Sequence, residues 1–154
     1  MNIIFYCQYV WGMGHFIRSL EFARALSDHD VTLVAGGQEV AVNLPDHVDL
    51  VRLPTLYMDE MFTTLIPGNS GRTVAQIRQE RKKTLYALFE QKKPDVFIVE
   101  LYPFGRSIFG LSWSLCWKIS GPVNSAQSKP SAACEIFWWK KKIRLLTKNG
   151  FYKI

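Results

Sequence analysis

NIIFYCQYVWGMGHFIRSLEFARALSDHDVTLVA, residues 2–35, changes its hydrophobic period twice, and those two changes decide the fold. Asn2 to Gln8 is a short apolar run without internal charge, the pattern of a strand buried on both faces of a parallel sheet. A glycine-bearing turn follows, Tyr9-Val10-Trp11-Gly12-Met13-Gly14. From His15 the period becomes helical. Phe16, Leu20, Ala23 and Leu26/Ser27 fall on one stripe and Arg18, Glu21 and Arg24 largely off it, which predicts an amphipathic helix ending near Asp28. Asp30 to Ala35 then reads as a second strand, stopped by Gly36-Gly37. Strand, crossover helix and strand make a right-handed βαβ unit, the first half of a doubly wound sheet.

Outward from that unit the same logic holds as far as Arg106. Val48 to Leu53 reads as a third strand, and Pro54 to Ser70, with its Pro67-Gly68-Asn69 turn signal, as a long loop at the site edge. Thr73 to Gln91 is a helix with Val74, Ile77, Leu85, Leu88 and Phe89 on its apolar stripe, and Arg78, Glu80, Arg81, Lys82 and Lys83 on the remainder. Pro94 prevents its continuation. Asp95 to Val99 is a further buried strand, from which Glu100-Leu101-Tyr102-Pro103-Phe104-Gly105-Arg106 leaves as a loop at the carboxyl edge, where open α/β sheets bind ligands. The fold class is therefore α/β, Rossmann-like, with a mostly parallel sheet.

A chain of 154 residues that is 48% hydrophobic can bury one core, but it is short for two full α/β domains. No stretch reaches the roughly 20 apolar residues that span a bilayer, and Met1-Asn2-Ile3-Ile4-Phe5 has no positive flank or cleavage-like site. A cytoplasmic location is expected. Cys7, Cys116 and Cys134 show no C-x-x-C spacing and are odd in number, so they read as thiols outside any zinc knuckle or disulfide framework.

The turn carries the chemistry. Gly12 and Gly14 let the backbone approach a ligand closely, and the helix amino-terminus presents unpaired N–H groups to negative charge. The dinucleotide fingerprint is absent, because Ile17 stands where its third glycine belongs and Gly36-Gly37 stand where its acid belongs. No Gly-Lys-Ser/Thr follows the turn, which excludes a P-loop. Neither a resident cofactor nor a metal is expected. His15 at the mouth of the turn is the sharper feature, since imidazole is the side chain that takes and returns protons near neutral pH. Its bland reading is a solvated helix-start residue. Arg18 could hold an anionic group or pair with a neighbour such as Glu21, and a surface pair is the simpler choice. Glu100 ends an otherwise apolar strand, so it points into the cleft or caps a loop. His29 and His47, in polar connections, read as solvated surface groups.

The run Gly12-Met13-Gly14-His15 followed by Arg18-x-Leu20-x-x-Ala23-x-Ala25-Leu26 resembles the opening of glycosyltransferases of the GT-B fold, akin to the peptidoglycan N-acetylglucosaminyltransferase and to a set of predicted bacterial glycosyltransferases. Glu100 to Arg106 is similar to a loop of the latter group, and the two matches lie in the same order. The resemblance covers residues 1–106. It implies an acceptor-side Rossmann-like domain, the amino-terminal half of a GT-B fold, and transfer of a sugar from a nucleotide diphosphate sugar to an acceptor, without a metal requirement in many members. Carried over by position, His15 becomes the base or acceptor-orienting group, Gly12 and Gly14 shape the loop, and Arg18 and Glu100 become substrate contacts. The family's donor-binding domain has no counterpart here. A truncated chain, inactive by itself, is the expectation.

The charge is unevenly placed. Residues 1–106 carry 11 Lys+Arg against 12 Asp+Glu, whereas residues 107–154 carry 8 against Glu135 alone and hold four of the five tryptophans. One reading makes the chain a small Rossmann-like binding module whose tail, with Trp138-Trp139 beside Lys140-Lys141-Lys142-Ile143-Arg144, associates with an anionic membrane surface or nucleic acid. The genetic code favours another. Tryptophan has the single codon TGG, so a frame one base earlier turns each tail tryptophan into an NTG codon for Leu, Val or Met. Phe137-Trp138-Trp139-Lys140 is then forced to Leu-Val-Glu, and the next lysines and Ile143 to Lys or Glu, Lys or Glu, and Asn or Asp. Mixed charge returns, as in residues 1–106. The tail thus reads as out-of-frame translation beginning between about Gly105 and Leu111, with a sugar acceptor and a nucleotide-sugar donor as partners of the in-frame enzyme, no nucleic acid, and membrane association left open. Sequencing the coding DNA from codon 105 onward should find the frame one base earlier open through the whole tail; an early stop codon in that frame would remove the reading.

Overall fold

The computed structural model describes residues 1–10, 12–68 and 71–100 fully, together with the backbone of three strands among residues 135–153. The elements run β1 (Asn2–Cys7), α1 (Gly14–Ala25), β2 (Asp30–Ala35), β3 (Val48–Arg52), β4 (Leu56–Met58), β5 (Leu65–Pro67), α2 (Val74–Lys92), β6 (Val96–Val99), β7 (Glu135–Trp139), β8 (Lys142–Thr147) and β9 (Gly150–Lys153). The main sheet has the order β3-β2-β1-β6-β7-β8-β9. Its pairs are parallel from β3 through β7 and antiparallel from β7 to β9.

β1 is central to the described core. It pairs with β2 from Asn2↔Asp30 to Cys7↔Ala35 and with β6 from Ile3↔Val96 to Tyr6↔Val99. Successive strand residues point to opposite faces. Ile3, Phe5 and Cys7 therefore join Val31, Leu33 and Val96 against Phe16, Leu20 and Ala23 of α1. Ile4 and Tyr6 join Val34, Phe97 and Val99 against Leu85, Leu88 and Phe89 of α2. The two clusters put the helices on opposite faces of a mostly parallel sheet, which makes this a Rossmann-like α/β domain. Among the described residues, no helix is long and apolar enough to cross a membrane.

The expected strands at 2–8, 30–35, 48–53 and 95–100 match β1, β2, β3 and β6 to within about one residue at each end. Three expectations are corrected. α1 stops at Ala25 rather than near Asp28, because Leu26 N–H donates to Ala23 O at 3.2 Å and His29 N–H to Leu26 O at 3.0 Å, closing tighter turns. The span 54–70 is not simply a loop. β4 and β5 form an antiparallel hairpin whose Leu56, Met58 and Leu65 pack with Val10 and with Ile77 of α2. Arg81, placed by its charge on the polar face of α2, is 2% exposed. It lies four residues after Ile77 and four before Leu85, so helical geometry puts it on the apolar stripe.

Thr73 opens α2 with a reciprocal capping box, its N–H donating to Gln76 Oε1 at 2.8 Å while its Oγ1 accepts from Gln76 N–H at 3.3 Å. At the far end Lys93 adopts a left-handed conformation, φ 44°, before Pro94 ends the helix. The expected poor packing of residues 107–154, with Trp138 and Trp139 exposed, concerns side chains outside the described residues.

The Arg81 guanidinium bonds Gln8 Oε1, Tyr6 Oη at 3.3 Å and Gly36 O at 3.4 Å, which ties the carboxyl ends of β1 and β2 to α2. A Cβ on Gly36 would run into Gln8 and Arg81, and one on Gly37 into the Tyr9 ring. Phe97 is fully buried and meets Phe89 edge-on, centroids 4.9 Å apart. Phe97→Ala should lower unfolding free energy by about 3–5 kcal/mol, and Gly36→Ala by about 1–3 kcal/mol through overpacking, as read from urea midpoints.

Candidate active site

The site begins where β1 hands over to α1. Past Cys7 the chain turns through Gly12, whose φ of +71° lies in the left-handed region that glycine enters without strain, and α1 starts at Gly14. Met13 occupies the cap position without a side-chain bond, so the first N–H groups of α1 keep their polarity at the carboxyl edge of the sheet. A Cβ at Gly12 or Gly14 would touch nothing within 4 Å. At residue 12 the backbone conformation asks for glycine; at 14 packing does not.

His15 is the second residue of α1, with 27% of its side chain exposed. On the neighbouring strand, Glu100 N–H donates to Tyr6 O at 3.1 Å, extending the ladder one residue beyond β6. By strand alternation Glu100 follows Val96 and Ile98, which face α1. Its carboxylate therefore lies against α1, only 8% exposed. His15 Nδ1–H donates to Glu100 Oε1 at 3.0 Å. Ser19 Oγ–H and the Cys7 thiol donate to Oε2, each at 3.1 Å. Arg18 Nε stands 4.0 Å from Oε1, at the ion-pair limit, with its side chain 46% exposed.

An ionised carboxylate can only accept, so Glu100 selects the His15 tautomer with its proton on Nδ1. Nε2 is then the lone-pair nitrogen, and it has no partner among the described residues. The arrangement is an imidazole oriented by a carboxylate, with Arg18 at the rim.

Of the residues singled out in sequence, His15, Glu100 and Arg18 come together beside the Gly12–Gly14 turn. Two bland readings are corrected. Arg18 leans toward Glu100, not Glu21, because Glu21 pairs one turn along the helix with Arg24 at 3.5 Å. His47 is half-buried, its Nε2–H donating to Ala23 O at 2.9 Å near the carboxyl end of α1, where orphan carbonyls need donors. His29 bonds its neighbour's carbonyl, Asp28 O, at 2.7 Å. Cys7 and Ser19 were not singled out, yet each had a signal: Cys7 shares the parity of Ile3 and Phe5, and Ser19 lies one helical turn after His15.

Tyr9 borders the turn from below, its ring 5.3 Å from Phe16 and its hydroxyl donating to Gln38 O. Burial, partly offset by Arg52, holds its phenol above the usual tyrosine range. A recess of about 290 Å³ lies at the opposite edge of the sheet, beside Asn2, Asp30 and His47, where Lys92 Nζ already pairs with Asp49 at 2.7 Å. It is remote from the dyad. Among the described residues no group of three or more His, Cys, Asp or Glu side chains is placed to hold a metal ion.

No protein-family model matches the sequence, and no curated protein does. Among solved structures, the chain is similar to Phytolacca americana UGT2 complexed with UDP-2-fluoro-glucose and pterostilbene, at 22% identity and a TM-score of 0.46 over 74% of this chain and 28% of that one. It is similar to a UDP-glucosyltransferase from Polygonum tinctorium capable of glucosylating indoxyl, at 16% and 0.44 over 73% and 27%. Sucrose-phosphate synthase from Thermosynechococcus elongatus gives 13% and 0.43 over 74% and 29%. The chain thus spans less than a third of the length of each. At these identities and scores the likeness bears on neither the site nor its substrate.

The β4–β5 hairpin, which packs against Val10 and α2, has a carboxylate held by its own loop. Asp59 accepts from Thr63 Oγ1 at 2.6 Å, Thr63 N–H at 2.6 Å and Thr64 N–H at 3.0 Å, and these bonds, led by the Thr63 hydroxyl, hold its carboxyl below the usual aspartate range. A lowered folded-state value means the support is present above the ordinary value and is lost as pH falls through the lowered one. The Thr63 and Thr64 amide signals should therefore move together in that acidic window, and Asp59→Asn should abolish the shared titration.

Proposed function

We propose that this domain is the acceptor-side half of a nucleotide-sugar glycosyltransferase, in which His15 removes the proton from an attacking acceptor hydroxyl. The observation that carries the reading is the 3.0 Å contact between His15 Nδ1 and Glu100 Oε1 at the carboxyl edge of a parallel sheet. With Nδ1 protonated, Nε2 is the nitrogen free to accept. As it does so, positive charge develops on the ring beside a carboxylate already in place, which favours the transition state over the ground state. The sequence resemblance of the Gly12 to Leu26 run supports the same class of reaction.

Here Glu100 acts through His15 rather than on the substrate, its side chain being only 8% exposed and turned to His15, Ser19 and Cys7. Gly12 and Gly14 let the acceptor approach the backbone, and the exposed Arg18 guanidinium steers an anionic acceptor. Negative charge grows on the diphosphate as the sugar leaves, so turnover needs a second domain to hold it. The donor is a substrate, and no resident cofactor or metal is required. The enzyme is cytoplasmic, and residues 107–154 are an out-of-frame ending to residues 1–106.

The 154-residue chain assayed alone with nucleotide sugars should transfer nothing measurable. Restoring the earlier frame and the domain it encodes should recover transfer, and in that enzyme His15→Ala should lower kcat by roughly 10²–10⁴-fold, the range of a general base. Unchanged turnover would demote His15 to a loop residue, and robust transfer by the short chain would overturn the need for a second domain.

A further inference from the structure

The Glu100 carboxylate is gripped on the side that His15 does not touch. Oε1 faces His15, while Oε2 accepts from Ser19 Oγ of α1 and Cys7 Sγ of β1, both at 3.1 Å. The terminal torsion of a glutamate is broad and roughly two-fold, so a carboxylate held at one oxygen can still swing. Donors on the second oxygen remove that freedom. Ser19 is 1% exposed and Cys7 fully buried, so neither reaches a substrate, and the contact each makes with the site is to Glu100.

Ser19 has a local alternative. A helical serine can bond the carbonyl four residues back, here that of His15. Its hydroxyl instead donates across to the carboxylate, so α1 grips Glu100 with two side chains one turn apart, His15 and Ser19. Cys7 reaches the same oxygen from β1 because its parity faces α1. A thiol is a weak donor, so the hydroxyl is the stronger of the two.

We infer that Ser19 and Cys7 are positioning residues that lock the Glu100 carboxylate, and through it fix the His15 ring with its proton on Nδ1 and its lone pair on Nε2. The inference rests on the proposed role of the His15–Glu100 pair, and its test separates the two. In the full 154-residue chain labelled with ¹⁵N-histidine, long-range ¹H–¹⁵N correlation reads the tautomer of each ring directly, with His15 assigned by the signals that His15→Gln removes. The unsubstituted chain should show His15 as a single Nδ1–H tautomer. Ser19→Ala, with its far-UV CD spectrum unchanged, should convert it to a mixture of tautomers; Ser19→Thr, which keeps the hydroxyl, should retain the single form. Cys7→Ala should cause a smaller loss of the same kind, and it probes the same oxygen from another element if Ser19→Ala does not fold. Glu100→Ala, which leaves no acceptor, should abolish the preference. A His15 pattern indifferent to Glu100→Ala would overturn the dyad itself. A pattern lost with Glu100→Ala but intact in Ser19→Ala, Cys7→Ala and their double variant would overturn the positioning inference and leave the dyad standing.

Discussion

A strand paired on both edges and packed on both faces can send its side chains in only two directions, and β1 is such a strand. Both ladders are parallel, so the carboxyl ends of β1, β2 and β6 gather at one edge. The parity of each residue then decides which helix it meets. Cys7 goes to the α1 side and supports Glu100; Gln8, one residue later, goes to the α2 side and receives Arg81. A one-residue slip of β1 would exchange these roles and dismantle both polar clusters at once.

The two clusters solve the problem of buried charge differently. Glu100 loses nearly all its hydration, which costs several kcal/mol for an isolated ion. Three donors face its oxygens, and hydrogen bonds to a charged group are each worth about 1.5–3 kcal/mol, so the loss is offset by the same contacts that orient His15. Arg81 is buried more completely, and its described partners are neutral oxygens, with Nε unbonded among the described residues. A guanidinium spreads its charge over a plane and is weakly hydrated, which suits it better than lysine to such a place. The first cluster faces partly exposed groups at the edge, while the second is sealed beneath Gly36.

The backbone at the site follows the same economy of space. Gly36 and Gly37 are glycines because Gln8, Arg81 and Tyr9 occupy the volume a side chain would need. Gly12 is glycine for the opposite reason, an open position whose φ is left-handed. Neither distinction can be read from the letters alone, since both pairs look like turn glycines in sequence.

The sequence by itself determined the α/β class, the four strands of the parallel core, the two helices and the turn that starts α1, because each depends on a local period: two for strands, about 3.6 for helices. His15 and Glu100 were legible for the same reason, one at a helix start and the other at a strand end. Tertiary structure alone decided that Glu100 Oε1 meets His15 Nδ1, since 85 residues separate them and only the β1–β6 ladder brings β6 beside α1. It also decided that Arg81 lies inside. Residue type argued for solvent and helical spacing for the core, and the neutral oxygens of Gln8, Tyr6 and Gly36, contributed by distant segments, settled the contest. The β4–β5 hairpin was hidden because its strands are three residues long, too short to display a period, and form only where Val10 and α2 supply a surface to cover.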